Sequence, residues 1–189
     1  MNVAVDVETT GLTPYYHEVI EIAILPLNED LTINADVLPF HQRVKPERWD
    51  TISAKALEVN GESRESLENN PTRVASLQNF AVWHQEHVHE KLFPLAQNWT
   101  FDKSFIIAWM DPNRVLDNVL DKYFHYQFRD TLAVAHFLCD RARAKNRAIP
   151  FARTSLTNMC KLMGIPHEAH TAMGDATACA NLYRKFVYG

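Results

Sequence analysis

The first strand of the sequence constrains the fold most, because it ends in two carboxylates that must share one face. Residues 3–8 read Val-Ala-Val-Asp-Val-Glu, a β-branched, alternating pattern that is typical of a strand with one buried face. Side chains two residues apart in a strand point to the same side, with Cα atoms about 7 Å apart. Asp6 and Glu8 should therefore project together from the end of this strand, just before a Thr-Thr-Gly turn.

Two adjacent carboxylates are costly to bury, because they repel each other and lose hydration. A hard divalent cation relieves both costs, and paired carboxylates with open water positions suit Mg²⁺ or Mn²⁺. The alternative is an exposed strand end with both acids solvated. The apolar strand before the pair and the tight turn after it favour a metal site.

Composition narrows the function classes without deciding among them. The chain has 19 basic and 23 acidic residues, a net charge of −4. This weak acidity excludes a strong overall attraction to nucleic acid but allows a local, metal-assisted site. No apolar run approaches the roughly 18 residues of a membrane span, and the first residues lack the basic segment of a signal peptide. We therefore expect a cytoplasmic protein without membrane contact.

The three cysteines point to a reducing compartment. Cys139, Cys160 and Cys179 are widely spaced, odd in number and form no C-x-x-C pair. We expect all three to be buried and to pack as small hydrophobic side chains.

The order of the elements predicts one α/β domain over residues 1–189. Strands come first and then alternate with helices, which indicates a mixed sheet. After the first strand, further strands are predicted at residues 19–25, 34–44, 92–96 and 128–132. Helices are predicted from about Asn70-Pro71-Thr72 onward and at residues 101–110, 132–144, 155–163 and 175–187.

Two further motifs carry acids at predicted helix starts. Asp102 closes the motif Asn-Trp-Thr-Phe-Asp and falls in the first turn of a helix, where an acid usually interacts with the helix dipole. Asp175 follows Gly174, which marks a break, and falls where the last helix should begin. His170 lies five residues earlier, in a loop. Taken singly, the two acids are best interpreted as helix-capping residues and His170 as a loop histidine, so neither motif alone indicates a catalytic site.

A basic run lies beyond the predicted helix 132–144. It contains five cations with no acid between the first and the last: Arg141, Arg143, Lys145, Arg147 and Arg153. Cations at the end of a helix favour its dipole, so a solvated helix end is one interpretation. Contact with a phosphate backbone is the other.

Taken in order, the three motifs resemble one enzyme family. D-x-E-T-T-G near the N-terminus, N-x-x-F-D in the middle and H-x-x-x-x-D at the last helix resemble the DEDDh 3′–5′ exonucleases. Within that family, the chain is similar over essentially its whole length to the exonuclease domain of bacterial epsilon-type proofreading subunits. The resemblance implies a ribonuclease H-like α/β fold, a mixed five-stranded sheet flanked by helices with the acids at one edge.

The resemblance also implies roles for individual residues. The metal-site carboxylates would be Asp6, Glu8, Asp102 and Asp175, which would hold two Mg²⁺ or Mn²⁺ ions, and the general base would be His170. The pocket for the terminal nucleotide would be formed by Thr9, Thr10, Gly11 and Leu12, with Asn98 and Phe101 near the bound strand. Gln97 departs from the family, which often has His there, and this departure affects a substrate contact rather than the metal site.

The implied activity is metal-dependent removal of 5′-mononucleotides from the 3′ end of single-stranded nucleic acid, with DNA favoured. An RNA-trimming exoribonuclease is the alternative, followed by a non-catalytic nucleic-acid-binding protein on the same fold. The chain ends at Gly189 without the tail by which epsilon-type proteins bind a polymerase. This favours a stand-alone enzyme, or a proofreader supplied in trans to a polymerase, in a bacterial or phage-infected cell.

Overall fold

The computed structural model describes residues 1–189, and its centre is a mixed five-stranded sheet with the strand order β3-β2-β1-β4-β5. The strands are β1 (Asn2–Thr9), β2 (Val19–Leu27), β3 (Phe40–Arg43), β4 (Phe93–Ala96) and β5 (Arg129–Asp130). β2 pairs antiparallel with β1 and β3, whereas β4 pairs parallel with β1 and β5. The expected mixed five-stranded α/β fold is confirmed.

The structure contains seven α-helices. They are α1 (Ala54–Asn60), α2 (Arg64–Glu68), α3 (Arg73–His87), α4 (Trp99–Met110), α5 (Thr131–Ala144), α6 (Leu156–Met163) and α7 (Ala172–Tyr188). Short 3₁₀ turns occupy Trp49–Thr51 and Val119–Lys122. None of the helices combines the length and the apolar character that a membrane crossing requires.

The alternation of β1 divides the core into two layers. Val3, Val5 and Val7 pack in the cluster that contains the aromatic side chains of α3 and α4. Ala4 packs on the opposite face, in the cluster built from α5, α6 and α7. Because alternate residues share a face, Asp6 continues the row of Ala4 toward α7.

Small side chains bring α7 close to the centre of the sheet. Ala4 and Ala23 on the strands, and Ala176 and Ala180 on the helix, are at most 1% exposed and belong to one cluster. A short side chain on each partner lets the two backbones approach. This close approach places the first turn of α7, with Asp175, beside the end of β1.

The three cysteines lie in this same layer. Cys139, Cys160 and Cys179 are unpaired and at most 3% exposed. The expectation that they pack as small hydrophobic side chains is confirmed.

Two predicted strands are shorter than expected. The strand predicted at 34–44 is wrong over its first half, because Asn34 accepts a hydrogen bond from the N–H of Asp36 (2.9 Å) in a local turn and Pro39 has no N–H to donate. The strand predicted at 128–132 is reduced to β5. Asp130 caps α5 by accepting hydrogen bonds from the next helical N–H groups, so the helix begins at once.

The predicted start of the last helix is also wrong. α7 begins at Ala172, because the hydroxyl of Thr171 accepts a hydrogen bond from the N–H of Gly174 (3.1 Å) and caps the helix. Gly174 is therefore inside the first turn rather than at a break. A Cβ at this position would lie 2.0 Å from the carbonyl oxygen of Glu168, so only glycine fits.

Candidate active site

Three carboxylates from distant parts of the chain meet at the end of β1. Oxygens of Asp6, Glu8 and Asp175 all lie within 4.8 Å of one another. Asp6 and Glu8 share one face of β1, and Asp175 comes from the first turn of α7. These three oxygens could bind one ion together.

Asp102 lies next to this trio rather than within it. It occupies the first turn of α4, is 2% exposed, and accepts a hydrogen bond from the N–H of Val7 at 3.2 Å. Val7 lies between Asp6 and Glu8 on β1, so this hydrogen bond holds Asp102 beside the trio. The structure therefore brings three of the four predicted acids into direct proximity and places the fourth beside them.

Burial and mutual repulsion make this cluster resist ionisation. Burial raises the pKa of Asp6 well above its usual range, and the charges of Asp102 and Asp175 raise it further. Burial, together with the charge of Asp175, raises the pKa of Glu8 to about 8. Burial also raises the pKa of Asp102, against the opposing effect of its backbone hydrogen bonds. Acids in this situation favour a bound divalent cation, and an all-oxygen donor set suits a hard ion.

Sequence reasoning missed Glu21, a fifth acid of the cluster. Glu21 is the Cα partner of Glu8 across the β1–β2 ladder, and it is 9% exposed. Its Oε1 lies 2.6 Å from Nε2 of His41. The available signal was an acid inside the otherwise apolar run 19–25.

Sequence reasoning also missed His167. Nε2 of His167 donates a hydrogen bond to Oδ1 of Asp175, and the His167 side chain is only 7% exposed. The available signal was a second histidine three residues before His170.

His170, the expected general base, lies in the exposed loop before α7. Its backbone has a positive φ of 65°, and its N–H donates a hydrogen bond to Oδ2 of Asp175 at 3.2 Å. The loop is thereby tied to Asp175, while the His170 ring has no hydrogen-bond partner of its own. The assignment of this ring as the base stays a prediction.

A cavity of about 590 Å³ opens beside Glu8. Four of the six residues expected to contact substrate line it: Thr9, Gly11 and Leu12 from the expected nucleotide pocket, and Phe101 from the positions expected near the bound strand. The opposite wall comes from the start and the last turn of α1, through Ser53 and Asn60. The cavity is large enough for a mononucleotide.

Thr10 does not face this cavity, contrary to expectation. It is fully buried, and its N–H and hydroxyl form hydrogen bonds to the backbone of Glu18 at 2.8 and 2.9 Å. Its carbonyl accepts a hydrogen bond from the N–H of Ser53 at 2.9 Å. Thr10 therefore holds the loop in shape. Asn98 is exposed at the start of α4 but also lies outside the cavity lining.

Gln97, which stands where the family often has His, forms hydrogen bonds within the protein. Its Nε2 donates a hydrogen bond to the carbonyl of Thr154 at 2.9 Å, and its Oε1 accepts one from the hydroxyl of Thr131. Both ends of the amide are thus used to join β4, α5 and the segment before α6.

Comparisons with known proteins identify the family of this chain. The sequence model of the exonuclease family matches residues 3–183. The PolC-type DNA polymerase III of Thermotoga maritima is 28% identical over 98% of this chain, which spans only 12% of that protein. Ribonuclease T of Buchnera aphidicola subsp. Schizaphis graminum is 26% identical over 98% of this chain and 82% of its own length.

A solved structure has the same fold. Exonuclease I of E. coli, in complex with a dT13 oligonucleotide, superposes with a TM-score of 0.75 and 18% identity, over 99% of this chain and 41% of that one. Because the family match extends over nearly all of the sheet and helices described above, this chain belongs to the exonuclease family, as the order of its three motifs predicted.

Proposed function

We propose that this chain is a metal-dependent 3′–5′ exonuclease that releases 5′-mononucleotides from single-stranded nucleic acid, with DNA preferred, in the cytoplasm. The observation that carries the proposal is the convergence of Asp6, Glu8 and Asp175 within 4.8 Å at the end of β1. Membership in the exonuclease family supports it.

The acid cluster would hold the metal. Asp6, Glu8 and Asp175 offer the converging oxygens, and Asp102 offers a fourth carboxylate beside them. Carboxylate oxygens favour Mg²⁺ or Mn²⁺, and we propose two ions for each active site. When bound, such ions neutralise charge on the scissile phosphate and make a bound water more acidic.

His170 would accept the proton of the attacking water. Imidazole is a common general base, and the His170 residue is exposed, next to Asp175 in the chain's fold, with no hydrogen bond to its ring. Water attacks the phosphorus, the bond from phosphorus to the 3′ oxygen of the preceding nucleotide breaks, and that oxygen takes up a proton. The products are a 5′-mononucleotide and a strand that is one residue shorter.

The cavity beside Glu8 would hold the terminal nucleotide. Leu12 is 82% exposed at its edge, and Phe101 lines its wall, so both offer apolar surface to a base. A base can enter only after it leaves the stack, and this requirement favours single-stranded ends.

Asp6→Asn tests the proposal. The variant should fold normally and release no mononucleotides, and EDTA should stop the wild-type enzyme. Glu86→Gln, which removes an exposed acid on α3, is the matched control and should keep full activity. Rates near the wild-type value for Asp6→Asn would overturn the catalytic assignment.

An RNA-trimming exonuclease is the second candidate. It is favoured by ribonuclease T, a relative that this chain matches over 82% of its length. DNA is supported by the name of the PolC-type relative and by the oligonucleotide bound to exonuclease I. DNA and RNA of the same sequence, labelled at the 5′ end and digested side by side with Mg²⁺ and with Mn²⁺, would distinguish the two. A proofreading role would further require a polymerase in trans, which a pull-down with the purified polymerase would test.

A further inference from the structure

The basic run of the sequence forms one concentrated surface in the structure. A cavity of about 370 Å³ lies between the ends of α5 and α7. Four cations line it: Arg141, Lys145, Arg147 and Lys185. No Asp or Glu lines it, although acids outnumber bases in the chain as a whole, and the chain end at Gly189 lies among the lining residues. The positive charge here is therefore a local feature.

Three of these cations have no anionic partner. Arg141, Lys145 and Arg147 are exposed and form no salt bridge, whereas Arg143 on the same run pairs with Asp140 at 2.7 Å. Lys185 donates a hydrogen bond to the carbonyl of Met163 and therefore also supports the fold. Unpaired cations grouped in this way repel one another, and a ligand with several negative charges relieves that repulsion.

The segment that follows α5 connects this surface to the active site. It runs from Lys145 to Ser155, and the hydrogen bond from Gln97 to the carbonyl of Thr154 fixes its far end at the end of β4. α5 itself starts at that edge of the sheet, where Asp130 accepts a hydrogen bond (2.8 Å) from the N–H of Trp99 at the start of α4, the helix that carries Asp102. At 1.5 Å per residue, Lys145 lies about 20 Å along α5 from this edge.

An exposed aromatic side chain stands beside the cations. Phe137 is 63% exposed and lies one turn before Arg141 on the same face of α5. Cations that contact phosphates, together with an aromatic ring on which a base can stack, are the usual components of a single-strand binding surface. An inorganic anion such as phosphate could contact the cations but could not stack on the aromatic ring.

We propose that Phe137, Arg141, Lys145 and Arg147, here called the α5 basic surface, bind the backbone of the substrate strand several nucleotides to the 5′ side of the terminal nucleotide. This inference rests on the proposed function, since the strand is the one whose 3′ end occupies the acid cluster. It makes a specific claim about length: long strands contact the surface and very short ones do not reach it.

The test compares Lys145→Gln/Arg147→Gln with Lys91→Gln/Lys122→Gln. The control pair removes the same charge from two exposed positions, one just before β4 and one in the 3₁₀ turn Val119–Lys122. These positions adjoin the core layer of α3 and α4, whereas the α5 basic surface adjoins the layer of α5, α6 and α7. The substrates are a dinucleotide and a single strand of about 20 nucleotides, longer than most single-strand sites. Only the first variant should raise KM for the long strand, with kcat unchanged, and neither should alter cleavage of the dinucleotide.

Salt dependence gives a second readout that does not require catalysis. Each phosphate contact on a single strand adds about 0.7 to the slope of log K against log salt. Between about 50 and about 200 mM salt, binding of the long strand in EDTA should therefore weaken about 7-fold more for the wild type than for Lys145→Gln/Arg147→Gln. Fluorescence anisotropy with a 5′-labelled strand measures this difference.

The possible failures of the two proposals are distinguishable. An unchanged KM and salt slope in Lys145→Gln/Arg147→Gln would overturn the α5 basic surface while leaving the exonuclease intact. An equal loss on the dinucleotide would show a structural role and would also overturn it. If the wild type cleaves neither substrate, the proposed function itself fails.

Discussion

Nε2 of His167 donates a hydrogen bond to Oδ1 of Asp175, so two histidines of the final loop contact the same carboxylate in different ways. His167 uses its ring and is nearly buried, whereas His170 uses its backbone N–H and leaves its ring exposed. We propose that the two residues have different tasks. The nearly buried ring of His167 would position Asp175, and the exposed ring of His170 would accept the proton.

His167→Ala should therefore weaken metal binding. Loss of a group that orients a metal ligand typically costs about 10–100-fold in affinity. We expect a weaker Mn²⁺ affinity of this size by isothermal titration, and recovery of most of the rate at high metal concentration. His167→Gln, which can still donate a hydrogen bond, should recover part of the affinity.

His170→Ala should show the opposite behaviour. Loss of a general base lowers the rate by about 10²–10⁴-fold, and added metal should not restore it. The Mn²⁺ affinity should stay close to that of the wild type. If the rising limb of the pH–rate profile near neutrality persists in His170→Ala, another group is the base.

The acid cluster should make the metal-free protein less stable as the pH rises. Burial and the charge of Asp175 raise the pKa of Glu8 from 4.5 to about 8. A carboxyl group whose pKa is higher in the folded protein than in the unfolded one stabilises the fold fully when the pH is below its pKa in the unfolded state. This stabilisation is lost as the pH rises toward and through its pKa in the folded state. In EDTA, the melting temperature should therefore fall from about pH 5 to pH 8.

Glu8→Gln isolates this effect, because it keeps the shape of the side chain and removes its titration. At pH 8 in EDTA, its melting temperature should be higher than that of the wild type. The corresponding gain in free energy of unfolding should be on the order of a few kcal/mol. Mn²⁺ should stabilise the wild type strongly at pH 8 and the variant much less. Parallel pH profiles for the two proteins would contradict the assigned environment of Glu8.

The sequence was sufficient for features that depend on local periodicity. The alternation of residues 3–8 predicts both the strand and the shared face of Asp6 and Glu8, because a strand repeats every two residues whatever surrounds it. The meeting of Asp175 with that pair, by contrast, was implied only by the family resemblance. Its physical cause is the small side chains between α7 and the sheet, and their effect depends on the complete fold.

Features that depend on contacts between distant segments could not be predicted. Thr10 was expected to touch substrate, yet its polar groups are used by Glu18 and Ser53, and no local pattern reveals such partners. The contact of His167 with Asp175 depends on how the loop before α7 folds back. Gln97 looked like a lost substrate contact, but the structure gives its amide two partners within the protein.

Gly11→Ala should change the shape of the nucleotide cavity, because the added methyl group would collide with the side chain of His17. A Cβ on Gly11 would lie 2.2 Å from the ring of His17, which also lines the cavity. The ring must move, and overpacking of this kind costs about 1–3 kcal/mol. We expect a higher KM for single-stranded substrate. The double variant Gly11→Ala/His17→Ala should recover stability if the clash is the cause, and a double-mutant cycle measures this coupling. Additive losses would point to another contact.

Ala176→Leu tests whether the close approach of α7 assembles the metal site. Ala176 is fully buried against the sheet, one residue after Asp175, so a larger side chain must push the helix outward. We expect a loss of about 1–3 kcal/mol in stability. We also expect a weaker Mn²⁺ affinity, because the Asp175 oxygens move away from Asp6 and Glu8. Asn181→Leu, at an exposed position of the same helix, should leave both quantities unchanged. A folded Ala176→Leu protein with wild-type Mn²⁺ affinity would show that Asp175 does not depend on this packing to meet the other two acids.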